Sequence, residues 1–233
     1  MNPIVFVGLT LDQANATAQY HSRLGATVHV TSDGAGLFNV EVLYPSTGTG
    51  PAGPGDRTGD GRQGSDEEIA WGKNVSAAFK AKVIAISSGL GCDPNYLMAA
   101  MAFETGASFS PSIRNPRSGA TGLIQFLRST AIGLGTTVED LARMTAVDQL
   151  DYVQKYLNPF RGRMRSLSDV YMAILFPAAV GKPDSFVLFA APSTAYQQNA
   201  GLDVNHDDQV TKGEAASKVQ GRLDEGLSAT NRG

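Results

Sequence analysis

The chain has 233 residues, of which 42% are hydrophobic and 18% charged, and its formal net charge is −3. These values are ordinary for a globular chain of one or two domains. Proteins that bind nucleic acid or anionic membranes usually carry an excess of basic residues, so neither partner is expected here. No apolar run approaches the length of a membrane span. The single cysteine, Cys92, excludes an intrachain disulfide.

Residues 1–45 are predicted to form a small β-α-β-β module. Residues 4–7 are a short β-prone run, and the polar, alanine-containing stretch 12–24 suits a helix. Residues 27–30 and 37–42 alternate in the manner of two strands joined by a glycine-containing turn. A module of this size is close to the lower limit for independent folding, so we expect it to serve assembly with a partner chain. Binding to the cell wall is the alternative.

Residues 46–64 are rich in glycine, proline, serine and threonine, which predicts a linker. No Gly-Lys-Ser/Thr sequence follows these glycines. A phosphate-binding loop is therefore not expected.

Residues 65–233 are predicted to form a mainly α-helical second domain, which makes the expected fold class α+β. Ser65 and Glu68 form a capping box, and apolar residues at helical spacing continue to Ile86, which predicts one long first helix. Asp93 and Pro94 predict the start of the next helix, and a glycine twelve residues after Pro94 predicts its end. Further helices are predicted over residues 138–144, 148–156 and 167–179.

An acidic residue shares the apolar face of that second helix. Leu97, Met101 and Glu104 recur at helical spacing, so the Glu104 carboxyl is expected to be partly buried. Burial and the negative end of the helix dipole both raise the pKa of a carboxyl group. An acid that stays protonated near neutral pH is what general-acid cleavage of a glycosidic bond requires.

A set of residues with a recognisable order and spacing begins at this carboxyl. It comprises Glu104-Thr105, Phe109, Pro111, Ser118-Gly119-Ala120, Gly122-Leu123-Ile124-Gln125-Phe126 and Ser129-Thr130-Ala131. This set resembles the core signature of the soluble lytic transglycosylase and goose-type lysozyme superfamily, and the resemblance covers roughly residues 69–181. It implies a lysozyme-like domain that cleaves the β-1,4 bond between N-acetylmuramic acid and N-acetylglucosamine in peptidoglycan. Glu104 takes the role of the catalytic acid and Gln125 a place in the substrate cleft.

The sequence departs from the family in its third helical region. Where many members have Ala-Tyr-Asn-Ala-Gly, this chain has residues 173–179, with Phe176 and Pro177 at the Tyr-Asn positions. We expect Tyr171 to compensate from the preceding turn. Tyr152 and Tyr156 are candidates for stacking on a sugar ring, although helix packing explains either one equally well. The candidate substrate-binding residues are Gln125, Thr105, Tyr171, Phe176 and Tyr152.

Two reaction outcomes stay open at this point. In a lytic transglycosylase, the resemblance implies that Glu104 protonates the bridging oxygen and then acts as a base while the muramyl 6-hydroxyl closes a 1,6-anhydro ring. In a lysozyme-type hydrolase, a second carboxylate activates water. Asp148 and Asp151 are the nearest candidates for that carboxylate.

Residues 203–214 match the twelve-residue EF-hand loop, with oxygen-bearing groups at the ligand positions and helices predicted on both sides. Position six is Asp208 instead of glycine. The pattern predicts a structural Ca²⁺ that clips the C-terminal helix to the enzyme, and catalysis is expected to need no cofactor. The alternative is an acidic loop without a ligand. The candidate ligands are Asp203, Asn205, Asp207, Gln209 through its main-chain carbonyl, Thr211 and Glu214.

This combination of features resembles phage-encoded wall-degrading proteins. The first residues do not predict a secretory signal. We therefore expect a virion-associated protein of the tail tip or baseplate, which acts in the host periplasm and binds tail or baseplate proteins through residues 1–45. Accumulation in the host cytoplasm before lysis is the alternative location. The alternative functions are a structural tail-tip protein with a weakly active, glycan-binding domain, and a bacterial secreted wall-remodelling effector.

Overall fold

The computed structural model describes residues 4–9, 14, 18, 27–32, 34, 36, 38–43, 67–116 and 118–233. The chain divides into two compact units, residues 1–66 and residues 67–233. The predicted linker, residues 46–64, lies outside the described residues.

The first unit contains a three-stranded antiparallel sheet. Its strands are β1 (Ile4–Leu9), β2 (Thr27–Ser32) and β3 (Phe38–Leu43), and β3 lies in the middle. Between β1 and β2 in the sequence, Ala14 and Ala18 are helical, and Ala14 is buried. The described elements therefore follow the predicted β-α-β-β order.

The second unit is mainly helical, which confirms the predicted fold class of α+β with a predominance of helix. A two-stranded antiparallel sheet joins β4 (Val187–Ala190) and β5 (Gln209–Thr211). No helix among the described residues is long and apolar enough to cross a bilayer. The α-helices are α1 (Ala77–Leu90), α2 (Pro94–Thr105), α3 (Arg128–Gly133), α4 (Val138–Arg143), α5 (Ala146–Leu157), α6 (Leu167–Leu175), α7 (Thr194–Asn199) and α8 (Lys212–Leu227), and the 3-10 turns are Gly72–Asn74, Asn158–Phe160, Pro177–Ala179 and Ala200–Leu202.

The prediction of one first helix that begins at Ser65 and ends at Gly89 to Gly91 is wrong over residues 67–76, the part before α1 that the structure describes. α1 begins only at Ala77, where the Ser76 hydroxyl accepts a hydrogen bond from the Phe79 N–H. The preceding residues instead pair with the C-terminal segment, because the N–H groups of Ile69 and Trp71 donate to carbonyls of Gly233 and Gly226. Ile69 and Trp71 are thus buried by contact with the C-terminal segment, so their burial does not require a helix.

Helix α2 is the central element of the second unit, with α1, α6 and α8 packed against it. Both predicted ends are confirmed. The Asp93 carboxylate accepts a hydrogen bond from the Asn95 N–H at 2.8 Å, and Gly106 closes the helix in the left-handed conformation with φ 60°. Residues 97–102 are completely buried. Glu104 lies in the last turn of the helix and is only partly buried.

Candidate active site

A groove of about 350 Å³ opens beside the last turn of α2. It brings together residues from the C-terminal end of α2, from the loop between α2 and α3, and from α3, α5, α6 and α7. Its lining mixes polar and apolar side chains, as ligand-binding clefts commonly do. The lining residues are Glu104, Asn115, Ser118, Ala120, Ile124, Gln125, Phe126, Leu127, Thr130, Tyr156, Ile174, Leu175 and Asn199.

Glu104 is the groove residue whose environment changes its acidity. The residue is half-buried, and burial raises the pKa of its carboxyl from 4.5 to about 7. Desolvation has this effect because it disfavours the charged form. At neutral pH, the Glu104 carboxyl is therefore present in both protonated and ionised forms, which suits a group that must donate a proton and later accept one.

The loop between α2 and α3 forms the wall that carries Gln125. Two isolated β-bridges, Arg114 with Thr121 and Thr121 with Phe126, fold this loop back on itself. Gln125 adopts a left-handed φ of 51°, and its side-chain amide donates to the Gly122 carbonyl at 3.1 Å. The structure thus brings Glu104 and Gln125, the two residues carried over from the family signature, to one groove.

Four residues predicted to bind substrate do not line the groove. Thr105 is buried, and its hydroxyl donates to the Met101 carbonyl and accepts from the Phe109 N–H. Phe176 packs edge to face on Phe189. Tyr152 lies beneath the Lys155 ammonium, which is 4.8 Å from the ring centroid. Tyr171 is buried. These four side chains therefore make contacts within the protein and do not border the groove. Tyr156, one turn after Tyr152 on the same helix, does line it.

Neither candidate for a second carboxylate reaches the groove. Asp148 accepts a hydrogen bond from the Thr145 hydroxyl at the start of α5. Asp151 forms an ion pair with Lys82 at 2.8 Å. Among the described residues that line the groove, Glu104 is the one carboxyl group.

Asn199, at the end of α7, lines the groove, and the sequence-based prediction did not include it. The sequence does contain a pattern that indicates Asn199. Asn199 is followed by Ala200 and Gly201, the same three residues that end the family motif Ala-Tyr-Asn-Ala-Gly. The motif was instead aligned with residues 173–179, where two residues, Ile174 and Leu175, provide apolar lining.

Residues 203–214 share some local features with the EF-hand loop pattern. The second flanking helix, α8, begins within the loop at Lys212, and Val210 at position eight is fully buried in β5. Asp208 at position six adopts a left-handed φ of 64°, the conformation that a glycine usually supplies.

Oxygen side chains of this loop point inward, toward its own N–H groups. The Asp203 carboxylate accepts hydrogen bonds from the N–H groups of His206 and Asp208, and from the Tyr196 hydroxyl at 2.8 Å. The Glu214 carboxylate accepts from Thr211, through its N–H and its hydroxyl. Although burial raises the pKa of Asp203, these hydrogen bonds hold it below its usual value.

The donor set of the loop fits a hard cation such as Ca²⁺, which prefers carboxylate, carbonyl and hydroxyl oxygens. Within the part of the chain that the structure describes, no three His, Cys, Asp or Glu side chains form a metal-ligand group. Binding would therefore draw on the Asn205 amide, the Gln209 carbonyl and Thr211 as well as on Asp203, Asp207 and Glu214.

Comparison with known proteins does not identify a family for this chain, so the groove is interpreted from its own residues. No protein-family model matches the chain, and no curated protein matches it either.

Proposed function

We propose that residues 67–233 form a peptidoglycan-degrading enzyme of the lytic transglycosylase and lysozyme type, with Glu104 as its general acid and base. One observation carries this proposal. A carboxyl group with a pKa of about 7 borders a groove that also presents amide and hydroxyl groups from Asn115, Ser118 and Gln125. Such groups suit a glycan, which offers hydroxyl and acetamido partners along its length.

In the proposed reaction, protonated Glu104 donates its proton to the oxygen that bridges N-acetylmuramic acid and N-acetylglucosamine. The bond between that oxygen and the muramyl C1 breaks, and positive charge develops on the sugar ring. The muramyl 6-hydroxyl then attacks C1, and the Glu104 carboxylate accepts the hydroxyl proton. A 1,6-anhydro ring forms, and Glu104 is protonated again.

The transglycosylase outcome is the better supported of the two, because an inverting hydrolase needs a second carboxylate about 6.5–9.5 Å from the first. Asp148 and Asp151 are engaged elsewhere, with Thr145 and Lys82. Glu104 performs both proton transfers in the anhydro route, so one carboxyl group suffices.

We further propose that Ca²⁺ binds the loop of residues 203–214 in a structural role. The support is the all-oxygen donor set and the placement of α8, whose first turn belongs to the loop. The ion, when bound, would neutralise the carboxylates of Asp203, Asp207 and Glu214. The chemistry at Glu104 needs no metal in this proposal.

For the setting, we propose a phage tail tip or baseplate protein that acts on the host wall in the periplasm. Residues 1–66 form a compact unit separate from the proposed enzyme, as an assembly module would. Glycan strands and tail or baseplate proteins are the proposed partners. A weakly active structural tail-tip protein and a bacterial wall-remodelling effector are the alternatives.

Loss of turbidity of purified sacculi tests the proposal. The wild-type protein is expected to clear the suspension. Glu104→Gln, which keeps the side-chain shape and removes the acid, is expected to clear it at least a hundredfold more slowly, since general acid catalysis contributes on the order of 10²–10⁴-fold. Glu67→Gln changes an exposed carboxylate and serves as the matched control. Equal clearing by Glu104→Gln and the wild type overturns the proposal, and no clearing by the wild type favours the structural alternative.

A further inference from the structure

The side-chain amide of Gln149, in the first turn of α5, is fully buried and joins three separate segments. Its Oε1 accepts a hydrogen bond from the Leu123 N–H at 2.7 Å. Its Nε2 donates to the Pro111 carbonyl at 3.0 Å and to the Leu141 carbonyl at 2.8 Å. Both N–H bonds and the oxygen of the amide are thus in use.

The three partners show what this amide holds. Pro111 and Leu123 belong to the loop between α2 and α3, one near its start and one in the groove wall, whereas Leu141 belongs to α4. Leu123 directly precedes Ile124 and Gln125, which line the groove. One buried side chain therefore fixes the wall that faces Glu104 relative to α4 and α5.

Gly122 provides the space that this arrangement needs. It has a left-handed φ of 82°, and a Cβ atom added there would collide with the Gln149 amide. The Gly122 N–H donates to the Ile113 carbonyl at 2.8 Å, which adds a tie across the same loop. Gly122 and Gln149 are therefore complementary in shape as well as in hydrogen bonding.

We propose that Gln149 is a positioning residue for the groove, which sets the placement of Ile124 and Gln125 through its hydrogen bonds to Leu123, Pro111 and Leu141. No other uncharged side chain of this length offers an acceptor together with two donors. Loss of the amide would remove the partner of the Leu123 N–H and of the Pro111 carbonyl, whereas the Leu141 carbonyl would keep the Met144 N–H at 3.2 Å. The loop would rearrange to satisfy the first two groups. The expected effect of Gln149 on catalysis rests on the proposed function, whereas its effect on the loop does not.

The test combines a measurement of the loop with a measurement of the reaction. Gln149→Leu removes the hydrogen bonds at similar volume, and Gln154→Leu changes an exposed glutamine of the same helix as a control. Native-state hydrogen exchange is expected to show at least tenfold lower protection of the Leu123 amide in Gln149→Leu, with the amides of α2 unchanged. With soluble peptidoglycan fragments as substrate, kcat/KM is expected to fall on the order of a hundredfold, which is the penalty for a misplaced substrate contact.

A second variant keeps the test decisive if Gln149→Leu does not fold. Gln149→Glu preserves the size, but its ionised carboxylate would face the carbonyls of Pro111 and Leu141, whereas the protonated acid donates to one of them. The loss of Leu123 protection in this variant is therefore expected to shrink as the pH falls.

Unchanged Leu123 protection in Gln149→Leu, or a pH-independent defect in Gln149→Glu, overturns the positioning role of Gln149. Lost protection with unchanged kcat and KM overturns its link to the groove. The exchange result is independent of glycan cleavage, so it stands even if the activity of Glu104→Gln disproves the proposed function.

Discussion

Tyr171 is buried within electrostatic reach of the Glu104 carboxyl, and burial first and the charge of Glu104 second raise the pKa of Tyr171. The Tyr171 ring packs edge to face on Phe103, with ring centroids 5.4 Å apart. Tyr171 thus supports the last turn of α2 from α6. Its ring, more than its hydroxyl, is expected to hold Glu104 in place.

Substitution of Tyr171 separates the ring from the hydroxyl. Tyr171→Ala is expected to lower the free energy of unfolding by about 3–5 kcal/mol, the usual loss for a buried aromatic side chain. Tyr171→Phe keeps the ring and is expected to lose less than about 1.5 kcal/mol. Urea denaturation measures both. A Phe variant as unstable as the Ala variant would show that the hydroxyl is the essential part.

The raised pKa of Glu104 predicts a pH-dependent difference in stability between the wild type and Glu104→Gln. The folded protein binds the Glu104 proton more tightly than the unfolded chain, because its pKa rises from 4.5 to about 7 on folding. The wild type therefore loses stability relative to the variant as the pH rises through this interval, by up to about 3 kcal/mol.

Denaturation of both proteins at a series of pH values checks this expectation. The two free energies of unfolding are expected to run parallel below about pH 4 and again above about pH 8, with the change between these limits. A constant difference across the whole range would mean that Glu104 is not desolvated in the folded protein.

The buried ion pair between Lys212 and Asp169 predicts a large effect on stability from a residue that does not line the groove. Lys212 on α8 is 2% exposed, and its ammonium donates to the Asp169 carboxylate of α6 and to the Lys182 carbonyl. Lys212→Met is expected to lower the free energy of unfolding by about 3–5 kcal/mol, because the buried Asp169 carboxylate then loses its counter-ion.

Two comparisons isolate the contribution of charge in this pair. The double variant Lys212→Met/Asp169→Asn is expected to be more stable than Lys212→Met alone, since the introduced amide would carry no charge and its oxygen could still accept from the Gly181 N–H. Lys218→Met changes an exposed lysine of the same helix and is expected to have little effect. The ion pair contributes nothing if Lys212→Met is no less stable than Lys218→Met.

Removal of Ca²⁺ is expected to lower the melting temperature of the protein. An ion present at a hundredfold excess over its Kd stabilises the folded state by about 2.7 kcal/mol. Differential scanning calorimetry with added Ca²⁺ or with chelator measures the shift. Glu214→Gln is expected to abolish it and Glu225→Gln, an exposed change on the same helix, to retain it. An unchanged melting temperature of the wild type would argue against the metal.

The sequence predicted best those features that depend on neighbouring residues. The ends of α2 follow from Asp93, Pro94 and Gly106, because a helix cap is formed within one turn. The helix predicted from Ser65 failed because residues far along the chain, near Gly233, supply the hydrogen bonds that a helix would have supplied to Ile69.

The groove shows the same division. The family signature drew attention to Glu104 and Gln125, which lie on adjacent elements of the chain. The role of Gln149 depends on how α5 packs beside the loop after α2, and no local pattern in the sequence indicates it. Phe176 was assigned to substrate from the motif alignment and Tyr152 from residue type. In the structure Phe176 packs on Phe189, which is distant in sequence, and Tyr152 lies beneath Lys155 of its own helix.

The most direct test of the central claim is mass spectrometry of the fragments released from purified sacculi. The wild-type protein is expected to release muropeptides that end in 1,6-anhydro-N-acetylmuramic acid, and Glu104→Gln to release none above background. Reducing ends without an anhydro ring in the wild-type products would show that the reaction is hydrolysis and not transglycosylation. Equal release by the wild type and Glu104→Gln, or no release by either, would contradict the assignment of Glu104 as the acid that cleaves the glycan.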